Sequence, residues 1–265
     1  MRIVTEQITS TATITGYVQD SHPDNIGSCQ RAAVVIFPGG GYFFCSPREA
    51  EPVALGYLAE GFNAFVVDYA VGEHPAETAR LDGVAALTWV RQHAGEFHTD
   101  PAKIAVVGFS AGGHLAASLG VTASPRPSAV VLGYPVTRPT LGPLLGKDLL
   151  DVVEAVDAET PPSFVFTTQG DELVPSTETL EYCLALARHG IPYETHVHLK
   201  GPHGMSLAKP LTAAGRADMV DEAVASWLPE SVRFLRTILG DFPIEGAPAD
   251  YRRSRALHDA EPEAD

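Results

Sequence analysis

Cysteine is scarce. Cys29, Cys45 and Cys183 are the only three in 265 residues. An odd count at unrelated spacings excludes a disulfide framework, and no pair has the CxxC spacing of a zinc or redox motif. Cys45 lies beside a glycine run where a reactive thiol is conceivable, but a packed neutral thiol is the expected state. Positive charge is also short. With 18 Lys and Arg against 33 Asp and Glu, the formal net charge is −15. That argues against a phosphate-binding surface and so against nucleic acid as a partner, and it disfavours docking on anionic membranes. No apolar stretch approaches the ~20 residues of a membrane span. The start, Met1-Arg2-Ile3-Val4-Thr5-Glu6, lacks the apolar core and small-residue cleavage site of a signal peptide, so a cytoplasmic protein is expected. Internal repeats and dividing linkers are missing as well. Residues 1–245 are therefore expected to form a single domain, and the polar, charged residues 246–265 a disordered tail.

What is present is a rhythm of short apolar runs and amphipathic stretches. The first twenty residues alternate β-branched and polar residues, as in Ile14-Thr15-Gly16-Tyr17-Val18, and read as one or two antiparallel strands. Runs at 32–37, 63–67, 104–107, 129–132 and 164–166 read as strands buried on both faces, and 193–199 as an alternating one. Helices are expected over 47–60, 77–93, 111–120, 176–188 and 218–239. Pro52 is tolerable only in a first turn, and a break is expected at Pro229. Asp100-Pro101 reads as a turn. Buried strands alternating with helices imply an α/β fold with a mostly parallel sheet, antiparallel strands at its start and helices on both faces. The one sizeable insertion, 138–162, reads as a small cap over the C-terminal strand ends.

Three places carry chemistry. Gly108-Phe109-Ser110-Ala111-Gly112 matches G-x-S-x-G, and it joins a buried strand directly to a helix. Such a join forces a strained turn that lifts the serine above the sheet, with helix N–H groups behind it to favour an anion. A phosphate loop would place Lys after the glycines; here Gly112-Gly113-His114 follows. Ser110 is the expected nucleophile. Its tetrahedral intermediate needs preorganised donors, and the Ala111 N–H with those of Gly40 and Gly41, in Pro38-Gly39-Gly40-Gly41-Tyr42, are the candidates. The base and its acidic partner should follow in chain order. His203 in Gly201-Pro202-His203-Gly204 and Asp171 in Gln169-Gly170-Asp171-Glu172 lie past strand ends on the same rim, with Glu172 a rival acid. His74, His93, His98 and His189 read as exposed, and His114 as packed. Glu194, His196 and His198 share a strand face that reads as polar surface rather than as a metal site.

These residues resemble the α/β-hydrolase-fold esterases of the acetyl esterase/lipase type, which are related to hormone-sensitive lipase-like and carbohydrate-acetylesterase-like carboxylesterases. Phe37-Pro38-Gly39-Gly40-Gly41-Tyr42, Val107 through Ala116, Asp171-Glu172-Leu173-Val174-Pro175 and Gly201-Pro202-His203-Gly204 carry the likeness, which runs from about 30 to 240. It implies Ser110 as nucleophile, His203 as general base, Asp171 as its partner and Gly40, Gly41 and Ala111 as the oxyanion hole. It also implies a small ester as substrate and no cofactor or metal. Pro38 stands where the hormone-sensitive lipase-like branch has His, so that branch's substrate preferences do not carry over. Tyr42 and Tyr134 are the expected pocket residues, and Phe43 and Phe44 are read with Tyr42 as walls of the site. A prolyl-oligopeptidase-type peptidase and a non-catalytic ligand receptor on the same fold remain as alternatives at this point.

Overall fold

A strand that is apolar on both faces must be covered on both, and the runs at 32–37, 63–67 and 104–107 are covered at the middle of an eight-stranded sheet. The computed structural model describes residues 1–20 and 30–242; Cys29 and the tail from 246 lie outside the described residues. The strands are β1 (Arg2–Gln7), β2 (Thr13–Val18), β3 (Arg31–Phe37), β4 (Asn63–Asp68), β5 (Thr99–Phe109), β6 (Ala129–Gly133), β7 (Ser163–Thr168) and β8 (Tyr193–His198). Their order across the sheet is β1-β2-β4-β3-β5-β6-β7-β8. β1 pairs with β2 and β2 with β4 antiparallel, and every other pair is parallel.

Alternate side chains of the central strands enter two cores. Val35, Phe37, Phe65 and Val106 face α2 (Ala76–Gln92), α3 (Ser110–Thr122) and α5 (Ser176–Arg188). Val34, Ile36, Val66 and Val107 face α1 (Glu51–Ala59) and α7 (Trp227–Leu239). Trp227 stacks on Phe166 at 4.8 Å between ring centroids, joining α7 to β7. Among the described residues no helix is long and apolar enough to cross a membrane.

Chain order places the site. From β3 the chain passes through α1 to β4 on one side, then through α2 to β5 on the other. The crevice at such a reversal, at the strands' C-terminal ends, is where open α/β sheets bind ligands. Register sharpens it: Phe37 pairs with Gly108, Phe109 with Gly133 and Gly133 with Phe166. The chain segments that leave these strands therefore emerge side by side.

Three local expectations need correction. Residues 47–60 do not form one helix. A 3-10 turn over Pro47–Glu49 precedes α1, and Pro52 falls in the first turn of α1, where it costs no hydrogen bond. Asp100-Pro101 is not a turn ahead of β5 but lies inside it. The register with β3 jumps from Arg31–Thr99 to Ala33–Ile104, and Asp100 Oδ1 accepts the Ala102 N–H at 2.9 Å, so the extra residues bulge out. The last helical stretch breaks at Ser226 and not at Pro229. A 3-10 turn (Ala217–Met219) and α6 (Glu222–Ala225) come first, α7 starts at Trp227, and Pro229 then sits in its first turn. The insertion over 138–162 holds a 3-10 turn (Pro139–Leu141) and α4 (Gly142–Leu145). Glu178 of α5, which is buried, anchors its start by accepting from the Thr137 and Arg138 N–H groups and the Thr140 hydroxyl.

Candidate active site

Ser110 follows the last residue of β5 directly and begins α3, at φ +53°. A non-glycine residue in this left-handed region carries about 1–3 kcal/mol of strain, which the packing around it must hold. The packing is visible at Gly112. A methyl group there would run into the carbonyl oxygens of Phe37 and Pro38, backbone atoms that cannot step aside. Glycine at 112 thus lets the elbow helix lie against the start of the Pro38–Tyr42 loop. Gly112→Ala is expected to destabilise the fold by about 3 kcal/mol, the cost typical of overpacking, and to slow the chemistry of Ser110 in the folded remainder. A urea midpoint unchanged from wild type would contradict this close approach.

The expected partners converge on the serine. His203 Nε2 lies 2.8 Å from Ser110 Oγ, and His203 Nδ1 lies 2.7 Å from Asp171 Oδ2. A carboxylate only accepts, so Nδ1 carries the proton and Nε2 is left to accept from the hydroxyl. Asp171 Oδ1 accepts the Leu173 and Val174 N–H groups at 2.9 and 2.8 Å, and its side chain is almost fully enclosed. Glu172 is exposed, and it is Asp171 that meets the imidazole.

The glycine loop sits beside the hydroxyl. Gly40 has φ +125°, and a Cβ there would overlap the Phe44 carbonyl, so the turn that carries Gly40 and Gly41 past Ser110 requires glycine. Among the described residues neither the Gly40 nor the Gly41 N–H finds a backbone acceptor outside helices and strands. Ala111 is buried in the first turn of α3, where N–H groups have no intrahelical acceptor.

Tyr42 and Tyr134, expected as pocket residues, do not line the cavity. Tyr42 is 1% exposed and faces inward, its hydroxyl 2.8 Å from His114 Nδ1. The other nitrogen of His114 meets the Leu150 carbonyl at 3.0 Å, so it must donate there and Nδ1 must accept from Tyr42. Burial lowers the His114 pKa, in keeping with a neutral ring that ties the glycine loop to the insertion. Tyr134 lies beneath His203, edge-on at 5.1 Å. Both tyrosines follow loop or strand ends where an aromatic is as readily buried as exposed, and sequence alone does not choose.

The cavity over Ser110 holds about 480 Å³. Gly40, Gly41, Ser110 and His203 form its floor. Its walls are mostly apolar: Phe43 and Phe44 from the glycine loop, Leu141, Leu144 and Leu145 from the insertion, and Val136, Leu173 and Val174. Of this wall sequence reasoning names Phe43 and Phe44; it misses the leucines and valines, and it misses Arg48 and Glu49, which also line the cavity. One signal was available for Glu49. It stands four and eight residues before Val53 and Tyr57, on the stripe that α1 buries, where a carboxyl group needs a reason.

Cys45 is a packed thiol as expected, its pKa pushed up to about 12 mainly by burial. His74, His98 and His189 are exposed. His93 is not: it is half-buried against Trp89 and Phe97, and its Nδ1 meets the Trp89 carbonyl at 2.8 Å. His196 bonds Glu194 at 2.9 Å and packs on Phe164.

Residues 34–148 match a family model described as the alpha/beta hydrolase fold. MGS-M1, an alpha/beta hydrolase enzyme from a Medee basin deep-sea metagenome library, is 42% identical with a TM-score of 0.85, over 90% of this chain and 98% of its own. The carboxylesterase Cest-2923 of Lactobacillus plantarum WCFS1 is 27% identical with a TM-score of 0.83, over 89% of this chain and 98% of its own. An acetylxylan esterase of Xylanibacter ruminicola is 29% identical over 65% of this chain and 40% of its own length. The chain spans less than two thirds of the curated relatives it matches. The likeness to MGS-M1, at that identity and over nearly the whole of both chains, makes this chain a member of the α/β hydrolase family.

Proposed function

We propose that this chain is a serine carboxylic-ester hydrolase acting on small esters with an apolar acyl group. The observation that carries the reading is the unbroken chain from Asp171 through His203 to the Ser110 hydroxyl, opening into a cavity floored by Gly40 and Gly41. Ser110 attacks the ester carbonyl while His203 Nε2 takes its proton. Asp171 holds the imidazole in the working tautomer and favours the cation that forms. The Gly40, Gly41 and Ala111 N–H groups receive the oxyanion, an interaction worth about 3–4 kcal/mol per donor. His203 returns the proton to the departing alcohol, an acyl-serine remains, and water repeats the sequence to release the acid.

The cavity wall argues for the acyl class. An acetyl group would leave the leucine and phenylalanine side chains of the wall without a partner, whereas each added methylene that contacts them contributes up to about 0.8 kcal/mol. On a p-nitrophenyl ester series from acetate to decanoate, kcat/KM is expected to climb by up to about fourfold per methylene as far as about hexanoate. A maximum at acetate, with steady loss beyond it, would rule out an apolar acyl site. The names of relatives such as the acetylxylan esterase favour a second reading, acetyl groups borne on sugars, with Ser46 and Arg48 as the polar edge. Faster turnover of acetylated xylo-oligosaccharides than of p-nitrophenyl hexanoate would select it.

A further inference from the structure

Resting on that reading of Ser110, His203 and Asp171, we propose that Glu49 is a positioning residue for the hydrolysis: its carboxylate couples the glycine loop to the loop of the base and places a negative charge near the imidazole. Glu49 is 4% exposed. Its Oε2 accepts the Gly39 N–H at 2.8 Å, and its Oε1 accepts the Tyr134 hydroxyl at 2.5 Å. The Tyr134 oxygen in turn accepts the Ser206 N–H at 2.9 Å, three residues beyond His203, while the Tyr134 ring stands against the imidazole. The circuit closes through the neighbouring residue. Ser206 Oγ donates to the Arg48 carbonyl at 2.5 Å, and the Arg48 guanidinium donates to the Gly204 carbonyl and, at 2.7 Å, to that of Thr212. Gly39, which precedes the oxyanion glycines, and Ser206, in the loop of the general base, are thus fixed to each other through one carboxylate and one phenol.

The distances leave little slack. A Cβ built on Gly39 would stand 2.8 Å from Glu49 Oε2 and 3.2 Å from Ser110 Cβ, so carboxyl, loop and nucleophile meet within the width of one residue. Tyr134 holds a left-handed φ of +38°, strain that persists only where the surroundings over-determine it. A merely structural filler at 49 would not need a charge, because burying a carboxylate is costly unless it is well bonded. Here every contact favours the anion. Burial pushes the Glu49 carboxyl above its usual range, and the Tyr134 and Gly39 hydrogen bonds and the charges of His203 and Arg48 oppose that rise. Tyr69 is the further titratable group that faces it. A nearby anion favours the imidazolium that forms as Ser110 attacks, and a rigid loop keeps the oxyanion donors aimed.

Glu49→Gln keeps the volume but cannot accept at both ends. One end can still take the Gly39 N–H; the other then presents N–H to a phenol already accepting from Ser206. The expected result is a kcat lower by about 30- to 100-fold, the scale of a small misplacement of reacting groups, with KM within about threefold. Loss of the anion also disfavours the imidazolium, so the acid limb of the kcat/KM profile moves to lower pH. Tyr134→Phe breaks the tie from the other side, and kcat falls. Wild-type kcat and acid limb in Glu49→Gln would overturn the proposal even if its melting temperature fell, since that pattern is purely structural. Should Glu49→Gln not fold, a wild-type kcat in Tyr134→Phe overturns it equally. Labelling of Ser110 by a fluorophosphonate in the wild-type protein separates the two levels. No labelling there removes the esterase reading and this proposal together; labelling with unperturbed variants removes only the proposal.

Discussion

Ser110→Ala is expected to lower kcat/KM on short esters by at least about 10⁴-fold, to abolish fluorophosphonate labelling and to leave the melting temperature close to wild type. The hydroxyl is the only atom removed. Its hydrogen bond to His203 is at the surface of an open cavity, so water can replace it. His203→Ala should lose a comparable factor for a different reason: the hydroxyl keeps its place on the strained elbow but has no acceptor for its proton. Because the two groups act as one unit, the double variant should be no worse than either single one. That non-additivity distinguishes a reacting pair from two independent binding contacts. A ligand receptor on this fold would give the opposite pattern, with additive losses in affinity and no labelling in wild type. Measurable turnover within tenfold of wild type in either single variant would refute the assignment of Ser110 and His203.

The parts of this arrangement that were legible in the sequence are those fixed by local rules. Residues 32–37 and 104–107 read as strands because an apolar run without alternation has to be covered twice, and they became β3 and β5. The helix over 176–188 is legible to the residue, since Gly190 closes it. Ser110 was legible because strand, G-x-S-x-G and helix follow without a gap. What was not legible depends on neighbours distant in the chain. Nothing near Asp100 shows that the partner strand jumps register opposite it. Nothing near Tyr134 shows that its hydroxyl will meet Glu49 rather than solvent. The cavity wall is the extreme case. Leu144 and Leu173 come from two segments that only the folded sheet brings together, and each alone is an ordinary apolar residue in a loop or short helix.

Asp171→Asn is the sharper test of the acid, and the geometry fixes how it should fail. Asp171 Oδ1 is claimed by the N–H groups of Leu173 and Val174, while Oδ2 takes the imidazole N–H. An asparagine has one oxygen for these two duties. Two backbone donors hold that oxygen, so the amide nitrogen is left facing His203 Nδ1 and presents a hydrogen where an acceptor is needed. The imidazole then accepts at Nδ1 and carries its proton on Nε2, toward Ser110. In that tautomer it cannot take the serine proton, and kcat is expected to fall by about 10⁴-fold with KM little changed and the fold intact. Glu172→Gln, which changes only an exposed side chain one residue away, should stay within about twofold of wild type. The reverse outcome would move the acid to Glu172. If both variants retained more than a tenth of wild-type kcat, the imidazole would be oriented by its packing against Tyr134 rather than by a carboxylate, and the burden of fixing the base would pass to the contacts around Glu49.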